Sequence, residues 1–212
     1  MLKKGDFVEI DFVGKIKDSQ HIFDLTSAED AKKYNIFDPK RKYEPVIVCI
    51  GAGKVFPKVE HALETHRVGD EVTVSLQPED AFGTKNSKLI QLVPLKVFKE
   101  KNMTPFPGLR FAVDGALATV RSVSGGRVIL DFNHPLSGRY LTYVVNIRKQ
   151  ITETKDKVEA IADIFFKVKE VKIGDKIEVK ATSKPNPALI EVLKKKLEEF
   201  VPEIKGKPVD VA

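Results

Sequence analysis

The side chains best suited to covalent or metal chemistry are few in this chain of 212 residues. The four histidines are His21, His61, His66 and His134, and only His61 and His66 lie close together. Their separation of five positions takes them off the i, i+4 face from which a helix offers two ligands to one ion. Cys49, the single cysteine, lies inside the apolar run Val46 to Ile50. It has no partner for an internal disulfide and reads as a buried thiol in a reducing compartment. Gly51-Ala52-Gly53-Lys54 has the glycines of a phosphate-binding turn but lacks the second Gly-Lys-Ser/Thr portion and its spacing. The expectation is therefore no metal and no cofactor. What remains is a scatter of aromatics, each of which, taken alone on its own element, is ordinary core, and one acid, Asp24, which taken alone is a solvated loop residue.

The elements that must position these groups follow from periodicity. From Phe7 to Val13, Val8, Ile10 and Phe12 alternate with Glu9 and Asp11, the pattern of a half-buried strand in an antiparallel sheet. A second strand is expected at Ile22 to Leu25, then a long polar loop broken by Pro39 and Pro45, with one helical turn at Ala28 to Tyr34. Val46 to Ile50 is a short apolar strand ending in glycines, and Pro57 stands where it opens a helix carrying Val59, Ala62 and Leu63. After the turn Val68-Gly69-Asp70, Val72, Val74 and Leu76 form another alternating strand.

From about Lys85 to His134 the texture changes. Asp114-Gly115 and Gly125-Gly126 read as hairpin turns between strands at Leu109 to Val113, Ala116 to Val123 and Arg127 to Phe132. From Thr84 to His134, eight Lys or Arg stand against three acids (Glu100, Asp114, Asp131), so nearly all of the chain's formal excess of +6 sits in this region. Leu141, Tyr143, Val145 and Ile147 then return the chain to the first sheet. Beyond Thr154 come a helical pattern at Val158, Ile161 and Phe165, a strand at Ile177 to Ala181, and a final helix with Asn186 as cap and Pro187 at its first position. Its apolar stripe is Leu189, Leu193, Leu197 and Phe200. No segment approaches the roughly 20 apolar residues of a membrane helix, and the N-terminal residues enter the strand pattern directly, so the expectation is a cytoplasmic protein with no membrane partner. Abundant Lys and Glu with no Trp fit a thermophilic source.

Three linked motifs then stand at consistent spacing: Gly51 through Glu64, Val68-Gly69-Asp70, and Pro78-Glu79-Asp80-Ala81-Phe82-Gly83. Together they resemble the core of the FKBP family of peptidyl-prolyl cis/trans isomerases. The segment that ends in Asn133-His134-Pro135-Leu136-Ser137-Gly138 resembles the exit of the insert-in-flap domain of SlyD-type and long archaeal members. The resemblance covers about residues 3 to 152. It implies an α+β fold: an antiparallel half-barrel sheet wrapped on a short helix, interrupted by a small all-β insert and followed here by a small α/β module. The expected division is residues 1–84 with 135–152 for the isomerase domain, 85–134 for the insert, and 155–212 for the C-terminal module.

Carried over residue by residue, the resemblance implies a pocket built of Phe12, Phe23, Asp24, Val55, Phe56, Val59, Phe82 and Tyr143. Two positions depart from the family pattern. Val59 stands where most small members have a tryptophan, and Phe82 lacks the hydroxyl of the usual tyrosine; both argue against tight binding of macrolide ligands. The implied reaction is rotation about an X-Pro amide, which makes and breaks no bond and needs only a pocket complementary to the twisted state. Asp24 has two open roles: stabilising the twisted amide, or hydrogen-bonding Tyr143 to hold the wall.

The insert's apolar residues Leu89, Ile90, Leu92, Val93, Leu95, Val97, Phe98, Met103 and Phe106 are, by the same resemblance, a site for unfolded polypeptide clients. Two rival readings stay open: a holdase with little isomerase activity, and ribosome or nucleic-acid association through the basic insert. A third expectation, homodimerisation through the C-terminal module, rests on the thin core available to so short a unit.

Overall fold

The computed structural model describes residues 1–212 as an α+β protein of antiparallel sheets with few helices. In chain order the elements are β1 (Phe7–Ile16), β2 (Ile22–Leu25), α1 (Ala28–Lys33), β3 (Val46–Cys49), α2 (Pro57–Glu64) and β4 (Glu71–Leu76). They are followed by β5 (Ile90–Pro94), α3 (Leu95–Glu100), β6 (Arg110–Val113), β7 (Ala116–Ser124) and β8 (Arg127–Asp131). The chain finishes with β9 (Leu141–Gln150), α4 (Thr154–Ala162), β10 (Val168–Ile173), β11 (Ile177–Ala181), α5 (Pro187–Phe200) and β12 (Val209–Val211). No helix is long and apolar enough to cross a membrane.

The chain divides into two compact units, residues 1–76 with 140–212, and residues 77–139. In the first unit five strands form an open sheet in the order β2-β1-β9-β4, with β3 sharing the β1 edge that also carries β2. β3 pairs along Phe7 to Ile10 and β2 along Val13 to Lys15, which is why β1 must be long. β4 shows the cleanest alternation, with Val72, Val74 and Leu76 buried and their neighbours exposed. α2 packs against β4 through Val59 and Leu63, and Pro57 occupies its first turn, where a missing N–H costs nothing.

β1 departs from the half-buried reading. Phe7 and Asp11 are buried as well as Val8 and Ile10: the C-terminal residues cover Phe7, and Thr26 and Arg148 close over Asp11. Phe7, Cys49 and Ala52 enter one core with Val158 and Ile161 of α4 and Leu193, Leu197 and Phe200 of α5. The core that looked thin for residues 155–212 is thus completed within the chain, each added large side chain contributing about 1.5–3 kcal/mol of burial. Asp11 is tolerated there because Arg148 pairs with it and the Thr26 hydroxyl donates to it at 2.8 Å. On α5, Asn186 caps through its side chain to the Ala188 N–H at 2.9 Å. Leu189 stands apart from the expected stripe, 37% exposed near the first turn while the stripe's other three residues are buried.

The second unit carries a four-stranded sheet in the order β5-β8-β7-β6, to which one short helix, α3, is added. Asp114 and Gly115 both have positive φ, 48° and 81°, as do Gly125 and Gly126, so the two tight turns have the left-handed geometry that matches strand twist. The unit's small core is Phe98, Val120, Val128 and Leu130.

Candidate functional site

Strand register alone assembles one apolar face in the first unit. Ile10 pairs with Val46 and Ile147, Phe12 with Val145, and Gly14 with Asp24 on one side and Tyr143 on the other. Directly opposed residues share a face and alternate residues repeat it. Phe12, Asp24, Val46, Tyr143 and Val145 therefore point together, and they line a cavity of 540 Å³ whose remaining wall is Gly53 to Pro57 and Val59. The cavity is mostly apolar, with Asp24 and Lys54 its charged members.

Tyr143 is the hub. Its ring centroid lies 5.6 Å from Phe12, 5.7 Å from Phe23 and 5.8 Å from Phe56, the last two edge-on. Burial, together with the nearby Asp24 charge, pushes its phenol well above the usual range, so it is a neutral wall at any physiological pH. Phe23 stands behind this wall and depends on Gly14: a Cβ at Gly14 would sit 2.7 Å from the tip of the Phe23 ring. Val59, 2% exposed, closes the bottom where a larger ring would take up space.

Asp24 lines the cavity but does not make the hydrogen bond to Tyr143 that was one of its two expected roles. Its Oδ1 accepts from the Arg41 guanidinium at 2.7 Å and from the Leu25 N–H at 2.9 Å. Arg41 comes from the polar loop before β3, where nothing in the local pattern marked it. The turn before the floor is held in a similar way. Glu60 of α2 accepts from the N–H groups of Gly51 at 3.2 Å and Gly53 at 2.8 Å, so the donors that made this stretch look like a phosphate loop are already occupied by the protein's own carboxylate. Phe56, the residue before Pro57, is the N-cap of α2, and its carbonyl accepts from Val59 and Glu60.

Of the expected pocket residues the structure thus brings together Phe12, Asp24, Val55, Phe56, Val59 and Tyr143, with Phe23 packed behind. Phe82 lies in the second unit, its ring stacked 4.2 Å from His134. Ile10, Val46, Lys54 and Val145 were not expected and line the cavity. Gly14 was legible in principle as a glycine inside an otherwise β-rich strand, the usual mark of a close approach.

The cavity is thus apolar and ringed by aromatics, and no cluster of His, Cys, Asp or Glu able to hold a metal stands in the chain. Residues 1–94 match the family model of FKBP-type peptidyl-prolyl cis-trans isomerase, and residues 91–136 match the FKBP26 IF domain. A short-type peptidyl-prolyl cis-trans isomerase of Methanocaldococcus jannaschii is 32% identical over 148 residues, 70% of this chain and 93% of that protein. The chain belongs to the FKBP-type peptidyl-prolyl cis-trans isomerase family. The SlyD isomerase of Vibrio cholerae is 34% identical over 118 residues, covering 54% of this chain and 58% of that one. A probable FKBP-type 16 kDa isomerase of Pseudomonas fluorescens is 35% identical over 108 residues, 49% of this chain and 71% of its own length.

In this FKBP-type chain the second unit corresponds to the insert, and its apolar residues divide into two groups. Leu89, Leu92, Val97 and Phe106 are exposed, as is Leu117, which was not expected; Leu92 and Phe106 reach 56%. Phe98, expected at the client site, is 5% exposed and packs edge-on to Phe111 at 5.7 Å, because its position on α3 turns it onto the sheet. Val93, Leu95 and Met103 lean on the same core, and Ile90 is half-buried. Val93, Val97, Phe98 and Met103 also line a cleft of 390 Å³ with Phe111 and Phe132.

The insert's exit is fixed by a polar cluster. Asp131 is 7% exposed, and its Oδ1 accepts from the Asn133 N–H at 2.9 Å and amide at 2.8 Å, while Arg121 reaches Oδ2 at 3.0 Å. Burial works to raise its pKa, but the Asn133 hydrogen bonds and the Arg121 and Lys85 charges outweigh it, leaving the carboxyl below its usual range. Asn133 also accepts from the Asn86 N–H at 2.8 Å and donates back to its carbonyl, tying the two ends of the insert together.

Proposed function

We propose that this chain catalyses the rotation of X-Pro peptide bonds in the aromatic cavity and that its insert holds the unfolded polypeptide that presents them. The barrier to rotation is about 18–20 kcal/mol because amide resonance must be broken in the twisted state. The site supplies no nucleophile, and none is needed. Phe12, Val55, Phe56 and Tyr143 enclose the prolyl ring in water-poor surroundings, which disfavour the more strongly solvated planar amide relative to the twisted one. Asp24, held by Arg41, keeps a negative charge at the cavity edge without closing it.

The observation that carries this reading is the convergence of three rings on Tyr143 around an apolar cavity large enough for a prolyl residue and its neighbour. For the insert, support comes from the exposed Leu89, Leu92, Val97, Phe106 and Leu117 beside a surface rich in lysine and arginine. A tethered holding site raises the local concentration of prolyl bonds, whose isomerisation is slow enough to limit folding.

The test measures isomerisation of a short X-Pro peptide and suppression of aggregation of a reduced, unfolded protein. Tyr143→Ala should abolish the first and spare the second, whereas Leu92→Lys with Phe106→Lys should do the reverse. A wild-type chain with no activity above the uncatalysed rate would sink the catalytic reading; undiminished holding by the double variant would sink the role given to the insert.

A further inference from the structure

Lys54 reaches more than the prolyl cavity. Together with Val46 it also lines a second, larger cleft of 800 Å³ between β3 and α4. The apolar part of that cleft is Pro45, Val46 and Ile47 on one side and Ile164, Phe165 and Phe166, just beyond α4, on the other. These last three are half-buried: they pack against the core shared by the sheet and the C-terminal helices and still face the cleft. Contact with α5 steadies the turn that carries Lys54, since Lys196 donates to the Ala52 carbonyl at 2.5 Å.

Lys54 itself is half-buried, and its ammonium has neither a hydrogen-bond nor an ion-pair partner. Burial lowers its pKa, and the Asp163 and Glu159 carboxylates on the cleft wall oppose that shift only through space. An ammonium has three donors and no acceptor, so what it lacks is a carbonyl or carboxylate oxygen. An extended chain advances about 3.4 Å per residue with side chains to alternating sides. A segment leaving the prolyl cavity past Lys54 therefore enters the second cleft within a few residues.

We propose that the cleft between β3 and α4 is an extended substrate subsite. The residues that flank the proline on one side cross Lys54, which donates to a backbone carbonyl of the crossing segment, and lay apolar side chains against Pro45, Val46 and Ile164 to Phe166. The occupant is the same polypeptide whose proline fills the first cavity, because the two cavities share Val46 and Lys54 and the substrate is a chain. The C-terminal residues thus widen substrate recognition beyond the prolyl bond. The inference rests on the isomerase reading above.

The experiment uses the full-length, isotope-labelled protein with two probes: a tetrapeptide centred on X-Pro, and a longer peptide with the same centre and apolar residues on both sides. Both should move the amide signals of Val55, Phe56 and Tyr143, and only the longer one those of Ile47 and Ile164 to Lys167. In kinetics, Lys54→Met should lower kcat/KM on the longer peptide about tenfold more than on the tetrapeptide, the loss of one charge-assisted hydrogen bond, with Lys54→Arg restoring most of it. Glu159→Trp, which puts an indole into the cleft, should narrow the same preference. Identical signal changes with both probes would overturn the subsite while leaving the isomerase intact; no response to either would mean that the isomerase reading itself had failed. Cleft signals that move with protein concentration alone would assign the cleft to a second copy of the chain, and that too would overturn the proposal.

Discussion

The Arg41 guanidinium sits 2.7 Å from Asp24 Oδ1 and donates from the same nitrogen to the Leu25 carbonyl at 2.6 Å. One side chain from a polar loop thereby fixes both the charge at the cavity edge and the end of β2.

Removing that clamp should cost function more than stability. Both partners are nearly half exposed, so the pair itself contributes under about 1 kcal/mol. Arg41→Ala should leave the thermal midpoint nearly unchanged. It should lower kcat/KM on an X-Pro peptide roughly tenfold, short of the hundredfold loss that a full ångström of misplacement brings. Peptide isomerisation beside a melting curve checks both parts.

Gly14 makes a steric prediction. Gly14→Ala puts a methyl 2.7 Å from the Phe23 ring, which must swing away from Tyr143. The ring tip can move, so the stability loss should stay near 1 kcal/mol, within the range for a forced side-chain shift. Activity should fall severalfold, and Gly14→Ala combined with Phe23→Leu should recover part of it. No activity change in the single variant would show that Phe23 does not support the wall.

Cys49 makes a pH prediction. It is 1% exposed, and burial, reinforced by the Glu60 charge, raises its pKa from 9.0 to about 12. The unfolded thiol ionises first, so the stability tied to the neutral thiol is complete below pH 9 and is lost as pH rises toward 12, by about 1.4 kcal/mol per unit. Denaturant curves across that range should be steeper in pH for wild type than for Cys49→Ala. Thiol reagents should label native Cys49 only at the rate at which the chain opens.

Asp131 predicts the opposite direction. Its carboxyl is held below the usual range, so its contribution is present above the ordinary value of 3.8 and lost as pH falls through the lower, folded value. Asp131→Ala leaves Arg121 and the Asn133 donors without their acceptor and should destabilise the second unit by about 2–3 kcal/mol at neutral pH. Amide exchange within β7 and β8 reads this directly, and unchanged protection there would refute it.

Much of this molecule was legible in its residues. β2, the start of α2 at Pro57, both glycine turns of the second unit and the cap and start of α5 follow from local patterns, because turn geometry, capping and alternation act over a few residues. The linked motifs around Gly51 to Gly83 determined the family for the same reason: they are short and contiguous. Only the tertiary structure decided that Phe7 and Asp11 are buried, that Arg41 holds Asp24, that Glu60 fills the glycine turn, and that Ile10, Val46, Lys54 and Val145 join the cavity. Each of these depends on which residues far apart in the chain face one another, and strand order, register and the docking of α4 and α5 set that. A side chain's periodicity says which way it points along its own strand; what stands opposite it is decided when the sheet assembles.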